Sequence, residues 1–110
     1  VRQFNTIEEV FNSIQVEFRP QKAKGERAIF QLNLSGADNG IYWIKVEEES
    51  CLGGKGEAPT NPDVILSIDA EDWLKIINAE INPVTAYLQG KLNVRGNRKL
   101  ALKLQGWFVD

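Results

Sequence analysis

Any chemistry in this chain has to come from carboxylates, lysines and one thiol, because its 110 residues include no histidine and a single cysteine. Ser-His and Cys-His nucleophile pairs and His-ligated metals are therefore excluded within it, and one thiol cannot complete a four-ligand zinc cage. Gly53-Gly54-Lys55-Gly56 has the look of a phosphate loop. However, Gly rather than Ser or Thr follows the lysine, and Glu49 stands where the first glycine belongs. The stretch reads better as a hairpin strand and its exit. Glu47, Glu48 and Glu49 are consecutive, so they splay around a turn instead of converging on a substrate. Cys51 has Leu52 beside it and no basic residue nearer in sequence than Lys45 and Lys55, which suits an inert strand cysteine. Asn33-Leu34-Ser35 is a formal glycosylation sequon, without meaning outside a secretory route. No catalytic residue, metal ligand or cofactor is expected.

The remaining chemistry is apolar burial. Hydrophobic residues make up 43% and charged residues 25%, values that fit one folded domain over residues 1–110. No apolar run approaches the roughly 18 residues of a membrane span. The net charge of −2 argues against a nucleic-acid partner. Against that balance, Lys91, Arg95, Arg98, Lys99 and Lys103 cluster near the C-terminus with only Asp110 opposing them. This cluster suits anionic lipid surfaces or a CoA phosphate, and equally a solvated helix face. A lone cysteine and an N-terminus unlike a signal peptide lead to a cytoplasmic expectation.

The elements that must position these residues are well punctuated. Thr6 and Glu9 form a capping box ahead of a helix reaching about Phe18, with Ile7, Val10, Phe11 and Ile14 on one face. Arg27 to Leu34 alternates cleanly, placing Ala28, Phe30, Leu32 and Leu34 inward. Asp38-Asn39-Gly40 is a hairpin signal, and the return strand has Tyr42, Ile44 and Val46 inward and Trp43 outward. Ser50 to Lys55 makes a weak third strand and Asp63 to Ile68 a fourth. Asp69 caps a helix through Ala79 with Trp73, Ile76 and Ile77 as its stripe, and Asn82-Pro83 starts another that Gly90 stops. Lys91 to Arg95 is a short strand. Gly96-Asn97 then turns into a closing helix with Leu100, Leu104, Trp107 and Phe108 on one side. The fold class is α+β, a mostly antiparallel sheet with helices on one face. Trp107 and Phe108 either cap an ordinary core or guard the mouth of a cavity.

A resemblance favours the cavity. Asn82-Pro83-x-x-Ala86-Tyr87-x-x-Gly90-Lys91-Leu92-x-Val94-x-Gly96-Asn97, ending Leu102-Lys103-Leu104-Gln105, resembles the signature of the sterol carrier protein type 2 lipid-binding domain. Phe30-Gln31-Leu32-x-Leu34-Ser35-Gly36, Gly56-Glu57-Ala58-Pro59 with Pro62-Asp63-Val64, and Ala70-Glu71-Asp72-Trp73 resemble segments of that family in the same order. The resemblance implies five strands and a hydrophobic tunnel between sheet and helices, holding a fatty acid, an acyl-CoA or a sterol-like lipid without chemistry. It places Phe30, Leu32, Ile44 and Leu66 on the tunnel floor, Trp73 and Ile77 on one wall, and Ala86, Tyr87, Leu88, Gln89, Leu100, Leu104 and Trp107 around the rest. Gln89 and Gln105 are the candidate head-group contacts. Without a Ser-Lys-Leu type ending, the chain resembles a stand-alone microbial member. Transient membrane contact and an enzyme partner both follow as options, and the alternative role is that of an accessory subunit presenting a substrate such as a quinone precursor.

Overall fold

The computed structural model describes residues 3–37 and 39–107, apart from the Gln105 side chain. Helices α1 (Ile7–Asn12), α2 (Ile14–Glu17) and α3 (Pro20–Ala23) precede strands β1 (Arg27–Ser35), β2 (Gly40–Glu47), β3 (Ser50–Lys55) and β4 (Val64–Asp69). Then come α4 (Ala70–Ile77), α5 (Pro83–Leu88), β5 (Asn93–Gly96), α6 (Arg98–Lys103) and a tight 3-10 turn, Leu104–Trp107.

The strands form one five-stranded sheet in the order β3-β2-β1-β4-β5. Every neighbouring pair is antiparallel except β1 and β4, which run parallel. The α+β, mostly antiparallel expectation therefore holds, with one parallel pair added. The 56–63 connection makes that pair possible by crossing the outer face of β1, where the Gln31 side-chain oxygen accepts from the Ala58 N–H at 3.1 Å. At its end Asp63 is tied to Ile29 twice: its N–H donates to the Ile29 carbonyl at 2.8 Å and its carboxylate accepts from the Ile29 N–H at 2.8 Å.

Period-two alternation sets the inner face. Ala28, Phe30, Leu32 and Leu34 are buried, as are Ile44 and Val46 of β2 and Val64, Leu66 and Ile68 of β4. Each fully buried Phe or Leu stabilises the fold by roughly 1.5–3 kcal/mol. Tyr42 is only half-buried because it lies near the rim, stacked on Phe11 at 4.6 Å between ring centroids. Trp43 points outward as expected, its ring lying against Gly54 of β3. On the inner side, a methyl at Gly53 would stand 3.1 Å from Phe11 Cδ1 and 3.3 Å from Ile14 Cδ1, so the small residue lets the N-terminal helices lie flat on the sheet.

The capping residues behave as their types predict. Asp69 accepts from the Glu71 N–H at 2.8 Å, Asn82 from Val84 at 2.8 Å and Asn97 from Leu100 at 3.2 Å. Thr6 accepts from Glu9 at 3.1 Å, but the returning Glu9 carboxylate takes the N–H of Asn5, one residue earlier than a capping box requires. The expected single helix to Phe18 is broken at Ser13, whose φ of −109° and ψ of 1° leave the helical region. Asn12 and Ser13 are weak helix formers, and the break redirects Ile14 onto β3. The helix expected through Ala79 stops at Ile77, since Ala79 takes a φ of +62°. Asp38 of the first hairpin lies outside the described residues.

Cys51 is buried on the inner face of β3, and burial pushes its thiol from an ordinary value of 9.0 up to about 12. At neutral pH it stays a protonated, inert thiol. Because the folded value lies above the unfolded one, its contribution is intact below pH 9.0 and is lost as the pH rises towards about 12. A thiol reagent titrated at pH 8 should modify Cys51 only at the rate of global unfolding. Rapid labelling in the absence of denaturant would contradict this burial.

Candidate functional site

Outside helix α5, all nine residues expected to line a tunnel are buried between sheet and helices. Phe30, Leu32, Ile44 and Leu66 are at most 1% exposed, and Trp73, Ile77, Leu100, Leu104 and Trp107 are also buried. Register explains the floor: Phe30 faces Ile44 across β1 and β2, and Leu32 faces Leu66 across β1 and β4. The closing turn completes it, with the Trp107 ring edge-on to Phe30 at 5.9 Å and 74°.

Helix α5 departs from expectation. Leu88 is 76% exposed and Gln89 is also exposed, while Tyr87 is half-buried. A six-residue helix presents one side to a core, and here that side carries Pro83 and Ala86. Taking Ala86 to Gln89 as one lining run ignores the ~100° rotation per residue, which turns Leu88 away from Ala86. Gln89 is the C-cap of the helix, and the side chain of Gln105 is not described.

The space between the layers is narrow. Phe4, Val10, Ile14, Glu17, Ile44 and Ile77 surround a cleft of about 10 Å³, room for about one water. Elsewhere in the core the Trp73 indole N–H is buried and meets no acceptor among the described residues, an unspent donor. A separate hollow of about 540 Å³ lies between α3, α5 and the closing turn, within the range of ligand pockets. Its apolar wall is Ala23, Pro83, Val84, Leu102, Gly106 and Trp107, and its rim carries Lys22, Lys24 and Lys103 with Glu26 and Asn82. Lys103 Nζ lies 3.5 Å from a Glu26 carboxylate oxygen. Trp107 borders this hollow and also packs on Phe30, so one side chain separates the hollow from the core floor. The Arg19 N–H holds that turn in place by donating to the Trp107 carbonyl at 2.7 Å. No three or more acidic, His or Cys side chains gather as a metal site among the described residues, and no helix there is long and apolar enough to cross a membrane.

A second fixture closes the narrow cleft. The Asn78 side chain accepts from the Phe4 N–H at 2.7 Å and donates to the Phe4 carbonyl at 2.8 Å, all buried. Asn78→Ala would remove both of these bonds to Phe4, at about 1–3 kcal/mol for each group then kept from water. Exposure of Phe4 relieves part of this, and a net loss of about 2 kcal/mol is expected in urea unfolding. Amide exchange at residues 4–16 should accelerate ahead of exchange in β1. Uniform acceleration across the chain would show that Asn78 does not clasp the N-terminal arm in particular.

Comparison with known proteins agrees with this architecture. Residues 4–109 match the model of the SCP-2 sterol transfer family. The hydroxysteroid dehydrogenase-like protein 2 of Danio rerio is 31% identical over 99 residues, covering 90% of this chain but 24% of the relative. The chain thus spans about a quarter of the length of the curated relatives it matches. Among solved structures, the sec-alkylsulfatase Pisa1 from Pseudomonas sp. superposes with a TM-score of 0.83 at 15% identity, over 96% of this chain and 17% of that one. Palmitated SCP2L2 from Aedes aegypti superposes with a TM-score of 0.67 at 25% identity, over 94% and 91% of the two chains. By the match over nearly its whole length and by its fold, this chain belongs to the SCP-2 sterol transfer family.

Proposed function

We propose that this chain, as a single domain over residues 1–110, binds a fatty acid, fatty acyl-CoA or sterol-like lipid without chemistry and carries it between membranes in the cytoplasm. The carrying observation is the hollow of about 540 Å³, whose apolar wall ends at Trp107 and whose rim is lysine-rich. The palmitated Aedes aegypti relative supports an acyl ligand. Each acyl methylene leaving water gains about 0.8 kcal/mol, so an apolar wall holds a chain without a dedicated polar lock. The rim lysines meet a carboxylate or a phosphate. Outward rotation of Trp107 would join the hollow to the floor of Phe30, Leu32, Ile44 and Leu66 and give a long tail the tunnel it needs. Inside, the Trp73 N–H offers a hydrogen bond to a hydroxyl or carbonyl.

Titration with a fluorescent fatty acid, read through tryptophan quenching, tests this reading. Saturable binding is expected, and its absence with fatty-acid, acyl-CoA and sterol probes alike would remove it. The second reading is an accessory role, in which the domain presents a hydrophobic substrate such as a quinone precursor to an enzyme. The lengths of the relatives favour it, since the matching region is 24% of a dehydrogenase-like protein and 17% of an alkylsulfatase. A carrier should purify alone with extractable lipid, whereas an accessory subunit should bring a catalytic partner.

A further inference from the structure

Trp73 carries a polar group that the folded chain leaves unspent. The residue is 3% exposed, and its indole N–H finds no acceptor among the described residues. A buried indole N–H ordinarily has a partner, because taking it out of water without replacement is costly. A phenylalanine would bury an aromatic ring here with no donor to satisfy. Nor does a resident water account for the donor. Such a water needs about two to four polar contacts, and no second buried side-chain nitrogen or oxygen among the described residues lacks a partner.

Its place on α4 determines what can reach it. Helix α4 packs over β1 and β4, whose inward residues Leu32 and Leu66 pair across the two strands. Trp73 and Ile77 are four residues apart, so they share one side of that helix and stand about 6 Å apart along its axis. Ile77 borders the narrow cleft between the layers. A lipid tail lying between α4 and the sheet therefore passes the indole within about one turn of that cleft.

What a lone donor selects follows from hydrogen-bond inventory. A saturated tail would leave the N–H stranded. A hydroxyl accepts the bond but brings a proton of its own, which needs an acceptor in turn. A keto oxygen accepts and donates nothing, so it matches a single donor with nothing left over. We propose that the Trp73 indole N–H is a specificity-determining group of the lipid site: it donates to a keto oxygen within the apolar body of the ligand, so that the chain prefers keto-substituted tails to saturated ones. This rests on the lipid-binding reading above and adds to it the substrate class.

Stearic acid and a series of oxo-octadecanoic acids, with the keto group moved stepwise along the tail, test this by competition against a bound fluorescent fatty acid. In the wild-type chain the affinity should peak at one keto position, about tenfold above stearic acid, the scale on which a buried donor regains a partner. Trp73→Phe keeps an aromatic ring and removes the donor, so the peak should vanish in it. The Trp73 indole N–H proton resonance of isotope-labelled protein gives a second readout. It should move downfield with the favoured keto acid and not with stearic acid. Should Trp73→Phe fail to fold, Trp43→Phe and Trp107→Phe assign that resonance by elimination, and its staying in place on keto-acid binding overturns the proposal by itself. A wild-type chain that binds stearic acid and favours no keto position also overturns the role of Trp73 while leaving lipid binding intact, as does a preference that survives in Trp73→Phe. Binding of none of these acids likewise overturns it, and if the acyl-CoA and sterol probes fail as well, the lipid-binding reading falls with it.

Discussion

Gly96→Ala is expected to destabilise the fold by about 3 kcal/mol or more, among the largest effects of a single methyl group anywhere in this chain. Gly96 sits at a φ of +98°, where an L side chain is strained, and its added methyl would fall inside the contact shell of the Asp63 carbonyl oxygen. The methyl would also approach the Asp63 carbonyl carbon at 3.2 Å and Val64 Cα at 3.3 Å. These are backbone atoms that cannot rotate aside. Asp63 is moreover held to Ile29, and its carbonyl accepts from the Asn97 N–H at 3.1 Å, so relief requires moving the end of β5 and the cap of α6 together. Gly90 provides the control. It has a φ of +77° but nothing within 4 Å of an added methyl, so Gly90→Ala should cost about 1 kcal/mol from backbone strain alone. Urea-unfolding midpoints separate the two. Equal losses in both variants would show that left-handed geometry, and not the approach of β4, is what Gly96 supplies.

What the sequence made legible was local. Asn82 with Pro83, Asp69 before α4, and Asn97 before α6 announced their helices because a cap and the N–H it accepts from are within three residues of each other. The inward sets of β1 and β4, Phe30, Leu32 and Leu66 among them, followed from alternation alone. What escaped was long-range or rotational. No spacing rule links Asn78 to Phe4, which lie 74 residues apart. The parallel β1-β4 pair depends on the path of the 56–63 connection, which Gln31 and Asp63 hold through tertiary hydrogen bonds. Leu88 and Gln89 were misplaced because a family signature marks a stretch of chain, whereas burial follows the angle around a helix. The hollow gathers residues from α3, α5, α6 and the closing turn, and only Trp107 near the chain end hinted at it.

Trp107→Ala should behave as a lesion that lipid repairs. Trp107 is 3% exposed, and truncating a buried Trp costs about 3–5 kcal/mol, partly from lost transfer energy and partly from the cavity left behind. Here the cavity would form between the hollow and Phe30, against which the indole ring is packed. An acyl chain entering from the hollow can fill that gap without first displacing the indole. Palmitate should therefore raise the melting temperature of Trp107→Ala by more than it raises that of the wild type, since stabilisation grows as RT ln(1 + [L]/Kd) and the affinity no longer includes the work of moving the ring. Trp107→Phe, which keeps an aromatic edge on Phe30, should lie between the two and guards against a truncation too severe to fold. The turn itself should persist in that variant, because the Arg19 N–H bonds the backbone carbonyl of residue 107 and not its side chain. Thermal unfolding at matched palmitate concentrations decides the matter. Equal ligand-induced shifts in all three proteins would mean that the tail bypasses Trp107. The narrow cleft lined by Phe4 and Ile14, where Asn78 holds Phe4 in place, would then be the next entry to test.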